Sequence, residues 1–265
     1  MKGVFFMKTI RLTAVMLIIA VLSVFSVSAT SDCERINWHY KTNGKNTRPN
    51  ILSGKQIEGL ENALYIGNDD DKTIYLTFDA GYSNENVEKT LDVLKSHDIK
   101  AAFFILPGII KNSEDVVKRM ADEGHLVCNH TASHGDMSKI TDIEAFKEEL
   151  NRLETLYYDT YGLEMEKYFR PPEGAFSAKT LEFCEELGYT PVFWSFAYAD
   201  WDNNKQPNPE KAKEKIFSQL HDGMVMLLHP TSKTNADILD DVITEFKSRG
   251  YTFGTLDELA EKTKQ

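Results

Sequence analysis

The sequence predicts an α/β fold: a single-domain, seven-stranded (β/α) barrel preceded by a signal segment. Three observations point there. Seven short, almost continuously apolar stretches recur along the chain, at 73–79, 100–105, 125–129, 166–170, 190–195, 224–229 and 251–254. Amphipathic helical patterns separate most of them. Nothing between 73 and 260 reads as a linker, internal repeat or low-complexity tract. Strands apolar on both faces that alternate with helices form a parallel sheet covered by helices. Closure into a barrel is inferred from the strand number.

The elements follow in order. Lys2, Lys8 and Arg11 precede an apolar run from Leu12 to Val27, and Val27-Ser28-Ala29 has small residues suited to cleavage, so 1–29 reads as a signal peptide. The run is short for a membrane span, which leaves membrane attachment only to an uncleaved signal. Residues 30–71 have too few apolar side chains for a core of their own and read as a lead-in packed on the barrel through Trp38, Tyr40 and Tyr65. Asn68-Asp69-Asp70-Asp71 reads as a solvated turn rather than a calcium loop. The barrel domain occupies 72–260.

Within it, Val87, Leu91 and Leu94 share one helical face, as do Val116, Val117 and Met120 before Gly124. Thr141-Asp142-Ile143-Glu144 resembles a capping box for a helix that ends near Gly162. Further helices run from Ser177 to Gly188, Pro209 to Leu220 and Ala236 to Ser248.

Composition narrows the function classes. Without residues 1–29 the chain keeps 27 basic and 41 acidic side chains, a net charge near −14, which argues against nucleic acid or an anionic membrane as partner. Three cysteines cannot all pair internally. Cys128 in a strand and Cys184 on a helix read as buried thiols, and no lipobox precedes Cys33.

Polar residues gather where the predicted strands end, which is where barrel enzymes carry their chemistry. The first strand ends at Asp79, the third at His130-Thr131-Ala132-Ser133-His134 and the fourth at Arg170-Pro171-Pro172-Glu173-Gly174. Asp200-Trp201 follows the fifth, and the sixth ends at Leu227-Leu228-His229. Asp79 alone would suit a helix cap. Beside a bound cation, which lowers the pKa of a water ligand, it would suit a general base. His130 and His134, four apart, would share one face of a helical turn and suit a divalent metal. Arg170 would keep Asp79 ionised and oriented, or form a plain ion pair at the barrel end. His229 is a candidate general acid or a hydrogen-bonded core histidine. Trp201 and Leu227 either wall a slot for a methyl group or sugar face or belong to the core. Glu173 and Asp200 would otherwise be solvated loop acids.

Five such motifs in this order resemble the polysaccharide deacetylases (carbohydrate esterase family 4, the NodB-homology domain) over about residues 72–256. The resemblance implies a distorted (β/α) barrel and metal-dependent removal of N-acetyl groups from glycans. It makes Asp79 the base, His130 and His134 metal ligands, Arg170 the residue that orients the base, and His229 the acid. The backbone N–H near Glu173 would stabilise an oxyanion. Pro171, Glu173, Trp201 and Leu227 would meet substrate, Leu227 lining the acetyl pocket.

Two positions depart from the family pattern. Ala80 stands where a second aspartate normally supplies the third metal ligand, and Ala197 stands where an aspartate normally tunes the acid, leaving Asp200 as its substitute. The metal is a divalent ion, with zinc first among those suited to two imidazoles. Lys72–Asn84, Arg170–Ser177 and Trp194–Trp201 further resemble the sporulation deacetylases of muramic-δ-lactam synthesis. That branch implies an exported enzyme of cell wall or spore cortex acting on N-acetylmuramic acid in peptidoglycan strands that lack peptide stems. Deacetylation of another acetylated polysaccharide, and a glycan-binding protein inactive through loss of the third ligand, are the alternatives.

Overall fold

The computed structural model describes residues 32–263. The expected signal peptide lies outside the described residues. Among them, no helix is long and apolar enough to cross a membrane.

The lead-in carries three two-residue strands, β1 (Ile36–Asn37), β2 (Tyr40–Lys41) and β3 (Asn50–Ile51). The barrel begins at β4 (Thr73–Ala80), followed by α1 (Glu85–Ser96), β5 (Ala102–Ile105), α2 (Pro107–Asn112), α3 (Glu114–Asp122) and β6 (Leu126–Asn129). Next come α4 (Ile143–Tyr161), β7 (Glu166–Phe169), β8 (Ala175–Phe176), α5 (Ala178–Glu186) and β9 (Thr190–Pro191). The chain finishes with α6 (Pro209–Ser218), β10 (Val225–Leu228), α7 (Lys233–Ser248), β11 (Thr252–Gly254) and α8 (Leu256–Thr263).

The main sheet is parallel, with seven strands in the order β10-β4-β5-β6-β7-β9 and β11 pairing β4. β4 shows why this sheet forms. Ile74, Leu76, Phe78 and Ala80 alternate onto the helix-covered face and join one large core with α1, α3 and α7. Tyr75 points the other way, into an inner core with Phe104, Cys128 and Val225. Thr77 and Asp79 lie on this inner face by the same alternation.

The fifth predicted strand, 190–195, is cut short. Its regular strand ends at Pro191, whose carbonyl accepts from Leu64 N–H of the lead-in. Beyond it the chain stays extended and pairs with changing partners: Val192 N–H donates to Phe169, Phe193 N–H to Leu64 and Ser195 N–H to Val225. The lead-in enters this gap, with Leu64 bridging Val192 on one side and Ile66 bridging Met224 on the other. Phe196 then bridges Met226 at the carboxyl end. These isolated bridges are the distortion of the barrel. Trp38 stacks on Phe193 at 4.2 Å between ring centroids, and the Tyr40 hydroxyl donates to Ala197 O at 2.8 Å.

Helix boundaries shift where capping differs from expectation. Asp142, not Thr141, caps α4 by accepting from Ala145 N. A reciprocal capping box occurs instead between Ser177 and Thr180 on α5. Ser232 caps α7, so that helix starts at Lys233 rather than Ala236. Asp71 of the acidic turn accepts from Lys262 Nζ and Thr73 Oγ1, both at 2.5 Å, which ties the turn to α8.

Candidate active site

Parallel strands send all their carboxyl ends to one rim, and a cleft of about 670 Å³ opens there. Asp79, His130, His134, Glu173, Trp201, Leu227 and His229 border it. Arg170 and Asp200 stand behind this surface, fully buried. Pro171 is buried too, and its carbonyl accepts from Gly174 N–H.

Arg170 organises the floor. Its Nη1 donates to Asp79 Oδ1 at 2.7 Å and its Nη2 to Thr77 Oγ1 at 2.8 Å. Nε donates to Val192 O at 3.1 Å, and the guanidinium lies 4.1 Å over the Phe104 ring. Burial alone would raise the Asp79 pKa, but the charges of Arg170, His130 and His229 and the Arg170 hydrogen bond together hold it below the usual carboxylate range. Asp79 is therefore ionised at neutral pH and can accept a proton.

His130 Nδ1 lies 2.8 Å from Arg170 O. A carbonyl only accepts, so Nδ1 carries the hydrogen and Nε2 keeps its lone pair. That lone pair faces Asp79 Oδ2 at 3.6 Å. Burial lowers the His130 pKa to about 4, so the ring is neutral at neutral pH. The His130 and His134 rings stand 5.1 Å apart.

They do not meet on a helical turn, as their spacing predicted. The segment is a loop in which Thr131 (φ 74) and His134 (φ 56) take left-handed backbone. Asn129 Oδ1 accepts from Thr131 N–H, Thr131 Oγ1 accepts from His134 N–H, and Glu149 Oε2 accepts from Ser133 N–H and Oγ–H. This bracing holds a backbone form that β-branched residues rarely adopt.

The opposite wall carries a second buried pair. His229 Nδ1 donates to Asp200 Oδ1 at 2.8 Å and His229 N–H to Asp200 Oδ2 at 2.9 Å. Burial lowers the His229 pKa, but the Asp200 hydrogen bond and charge outweigh it and raise the pKa above the ordinary histidine value. Nε2 is thus left as the nitrogen that exchanges a proton with the cleft.

Sequence reasoning missed Asn235. Its Nδ2 donates to Asp200 Oδ2 at 2.6 Å and to His229 O at 3.1 Å, and its Oδ1 accepts from the Tyr198 hydroxyl. It sits on the first turn of α7, with no motif to mark it. Glu173 has left-handed backbone (φ 58), and its carboxylate lies 3.6 Å from Arg35 Nη2 of the lead-in.

Among the described residues no three His, Cys, Asp or Glu side chains converge as a ready-made metal cage. Ala80 supplies no donor: it is fully buried in the helix-side core. The donor chemistry still fits a divalent ion, because the lone pair of His130, the His134 imidazole and the Asp79 carboxylate border one cleft.

Fold and site together define a barrel hydrolase whose charged and histidine side chains gather at the carboxyl ends of its strands. A family model described as "Polysaccharide deacetylase" matches residues 66–192. The peptidoglycan-N-acetylmuramic acid deacetylase PdaA of Bacillus subtilis is 41% identical over 85% of this chain and 86% of its own length. Its solved structure, a family 4 carbohydrate esterase, superimposes with a TM-score of 0.80 at 40% identity, covering 86% of this chain and 97% of that one. An uncharacterized 30.6 kDa protein of Geobacillus stearothermophilus is 43% identical over 88% of each chain. A CE4 family pseudoenzyme of Bacillus anthracis is similar at a TM-score of 0.69 and 25% identity, over 80% of this chain and 72% of that one. The chain belongs to the polysaccharide deacetylase family, carbohydrate esterase family 4.

Proposed function

We propose that this protein is an exported, metal-dependent peptidoglycan N-deacetylase. It removes the acetyl group from N-acetylmuramic acid in glycan strands without peptide stems, toward muramic-δ-lactam in spore cortex. The observation that carries the reaction is the pairing of Asp79 with Arg170 and of His229 with Asp200 around one cleft. The substrate assignment is supported by the 41% identity to an N-acetylmuramic acid deacetylase and by the matching strand-end motifs.

His130 and His134, with Asp79 beside them, would hold the divalent ion. When bound, that ion supplies Lewis-acid polarisation of the acetamide carbonyl and a lowered pKa for water. Asp79 accepts a proton from the attacking water, whose oxygen bonds to the acetamide carbon. Arg170 keeps the Asp79 carboxylate charged and aimed. His229, protonated through Asp200, delivers the Nε2 proton to the departing nitrogen as the C–N bond breaks. Acetate and a free amine result. The amine can then close on the lactyl carboxylate with loss of water.

Asp79→Ala and His130→Ala should each abolish acetate release from peptide-free muropeptides. Release near the level of the unaltered protein from both variants would sink the mechanism. One observation favours a second reading: Ala80 lies in the core and leaves the metal two imidazoles. A glycan-binding protein without turnover would bind the same strands yet release no acetate with any added divalent cation.

A further inference from the structure

We propose that Arg35, a residue of the lead-in, binds the lactyl carboxylate of the acetyl-bearing sugar and so selects N-acetylmuramic acid over N-acetylglucosamine. This rests on the glycan reading above. The two sugars differ by one lactyl ether, which ends in a carboxylate. A chain with 41 acidic against 30 basic side chains repels such a strand at a distance. Its carboxylates therefore need a cation close at hand. Among the described residues that border the cleft, none is Lys or Arg. Arg170 lies buried behind the floor, held by Asp79 and Thr77.

Arg35 supplies that cation from outside residues 66–192, the stretch that the family model matches. It directly precedes β1, which pairs antiparallel with β8, and Trp38 N–H donates to Gly174 O at 2.9 Å. The chain before β1 is thus fixed against the turn that carries Glu173. Arg35 Nε donates to Oδ2 of Asp136, two residues after His134, at 2.9 Å. Asp136 is itself anchored, because its Oδ1 accepts from Ser138 N–H and Oγ–H. The guanidinium therefore stands at the rim, between the His134 loop and Glu173.

Both of its η nitrogens lack a hydrogen-bond acceptor among the described residues. Nη2 has the Glu173 carboxylate at 3.6 Å, beyond hydrogen-bond reach. Asp136 also faces Lys139 Nζ at 3.6 Å, so one carboxylate is shared by two cations. Glu173 borders the cleft, and its position shows that an acid in the cleft can approach this guanidinium. Paired N–H groups of a guanidinium match the two oxygens of a carboxylate. The lactyl carboxylate sits against Nη1 and Nη2, and the exposed Glu173 side chain yields the place. An N-acetylglucosamine unit has no group to put there.

Two probes separate the carboxylate from the sugar. Peptide-free peptidoglycan strands carry it on every N-acetylmuramic acid unit, and an N-acetylglucosamine hexamer has none. Calorimetry gives both dissociation constants on the full chain carrying Asp79→Ala, in which no turnover is expected. Adding Arg35→Gln should weaken strand binding about three- to tenfold and leave hexamer binding unchanged. Arg35→Lys should recover part of the loss, since it keeps the charge without the paired donors. Glu173→Gln should tighten strand binding, because it removes the competing carboxylate. Strand binding unmoved by Arg35→Gln, or weakened no more than hexamer binding, overturns the assignment. Should Arg35→Gln fail to fold, Glu173→Gln decides: strand binding no tighter than with Glu173 overturns it. Acetate release is followed in parallel with Asp79 intact. No release from either probe, with strand binding still dependent on Arg35, upholds the carboxylate contact and rejects the deacetylase reading. Release from the strands with binding independent of Arg35 does the opposite.

Discussion

At the scale of the residue, two buried pairs with opposite electrostatic sense face one cleft, and the proposed proton transfers rest on them. Arg170 lowers the pKa of Asp79, and Asp200 raises that of His229. Asp79 is therefore charged, and His229 stays protonated to higher pH than a free imidazole. The sign of the consequence follows. Asp200→Asn removes the negative charge that favours imidazolium, so the His229 pKa falls and the alkaline limb of kcat/KM moves to lower pH. A limb that stays in place would remove Asp200 from the acid's control. Asn235→Ala leaves Asp200 one donor short and should cost about tenfold or more in kcat, with secondary structure unchanged by circular dichroism. His130→Ala should lower affinity for added zinc by at least about tenfold, measured by equilibrium dialysis.

At the scale of the element, the lead-in is structural to the barrel. It supplies Leu64 and Ile66 where the β9 ladder stops and places Trp38 against Phe193. Trp38→Ala should cost about 3–5 kcal/mol and lower the thermal midpoint by roughly 10 °C. Gly174 makes the same junction tight. It has φ 65, and a Cβ there would meet Trp194 and Trp38 at 2.8 Å. Gly174→Ala should destabilise by about 1–3 kcal/mol, read by urea denaturation.

These elements also show how much the sequence reveals. Asp79, His130, Arg170 and His229 were legible because parallel strands deliver their ends to one rim, and an apolar run broken by a polar residue marks such an end. The His130–His134 turn was not legible as a loop, because its shape depends on Glu149 of α4, which braces Ser133 from outside. Asn235 was hidden because it lies 35 residues from Asp200 and bonds to it only through tertiary folding. The early end of the fifth strand at Pro191 was not legible, since 190–195 reads as one strand. The segment that fills the gap, Leu64 to Ile66, carries no local sign of doing so.

At the scale of the molecule, the parallel register, the buried guanidinium inside the barrel and the single rim combine into one catalytic face. A net charge of −11 for the whole chain argues against nucleic acid as the long partner. Mass spectrometry of peptide-free glycan strands, incubated with the purified protein and zinc, tests the central claim most directly. The account predicts loss of acetyl from N-acetylmuramic acid units, with acetate released in equal amount, and no loss with Asp79→Ala. Strands recovered with every acetyl group in place, under zinc and other divalent cations alike, would contradict it.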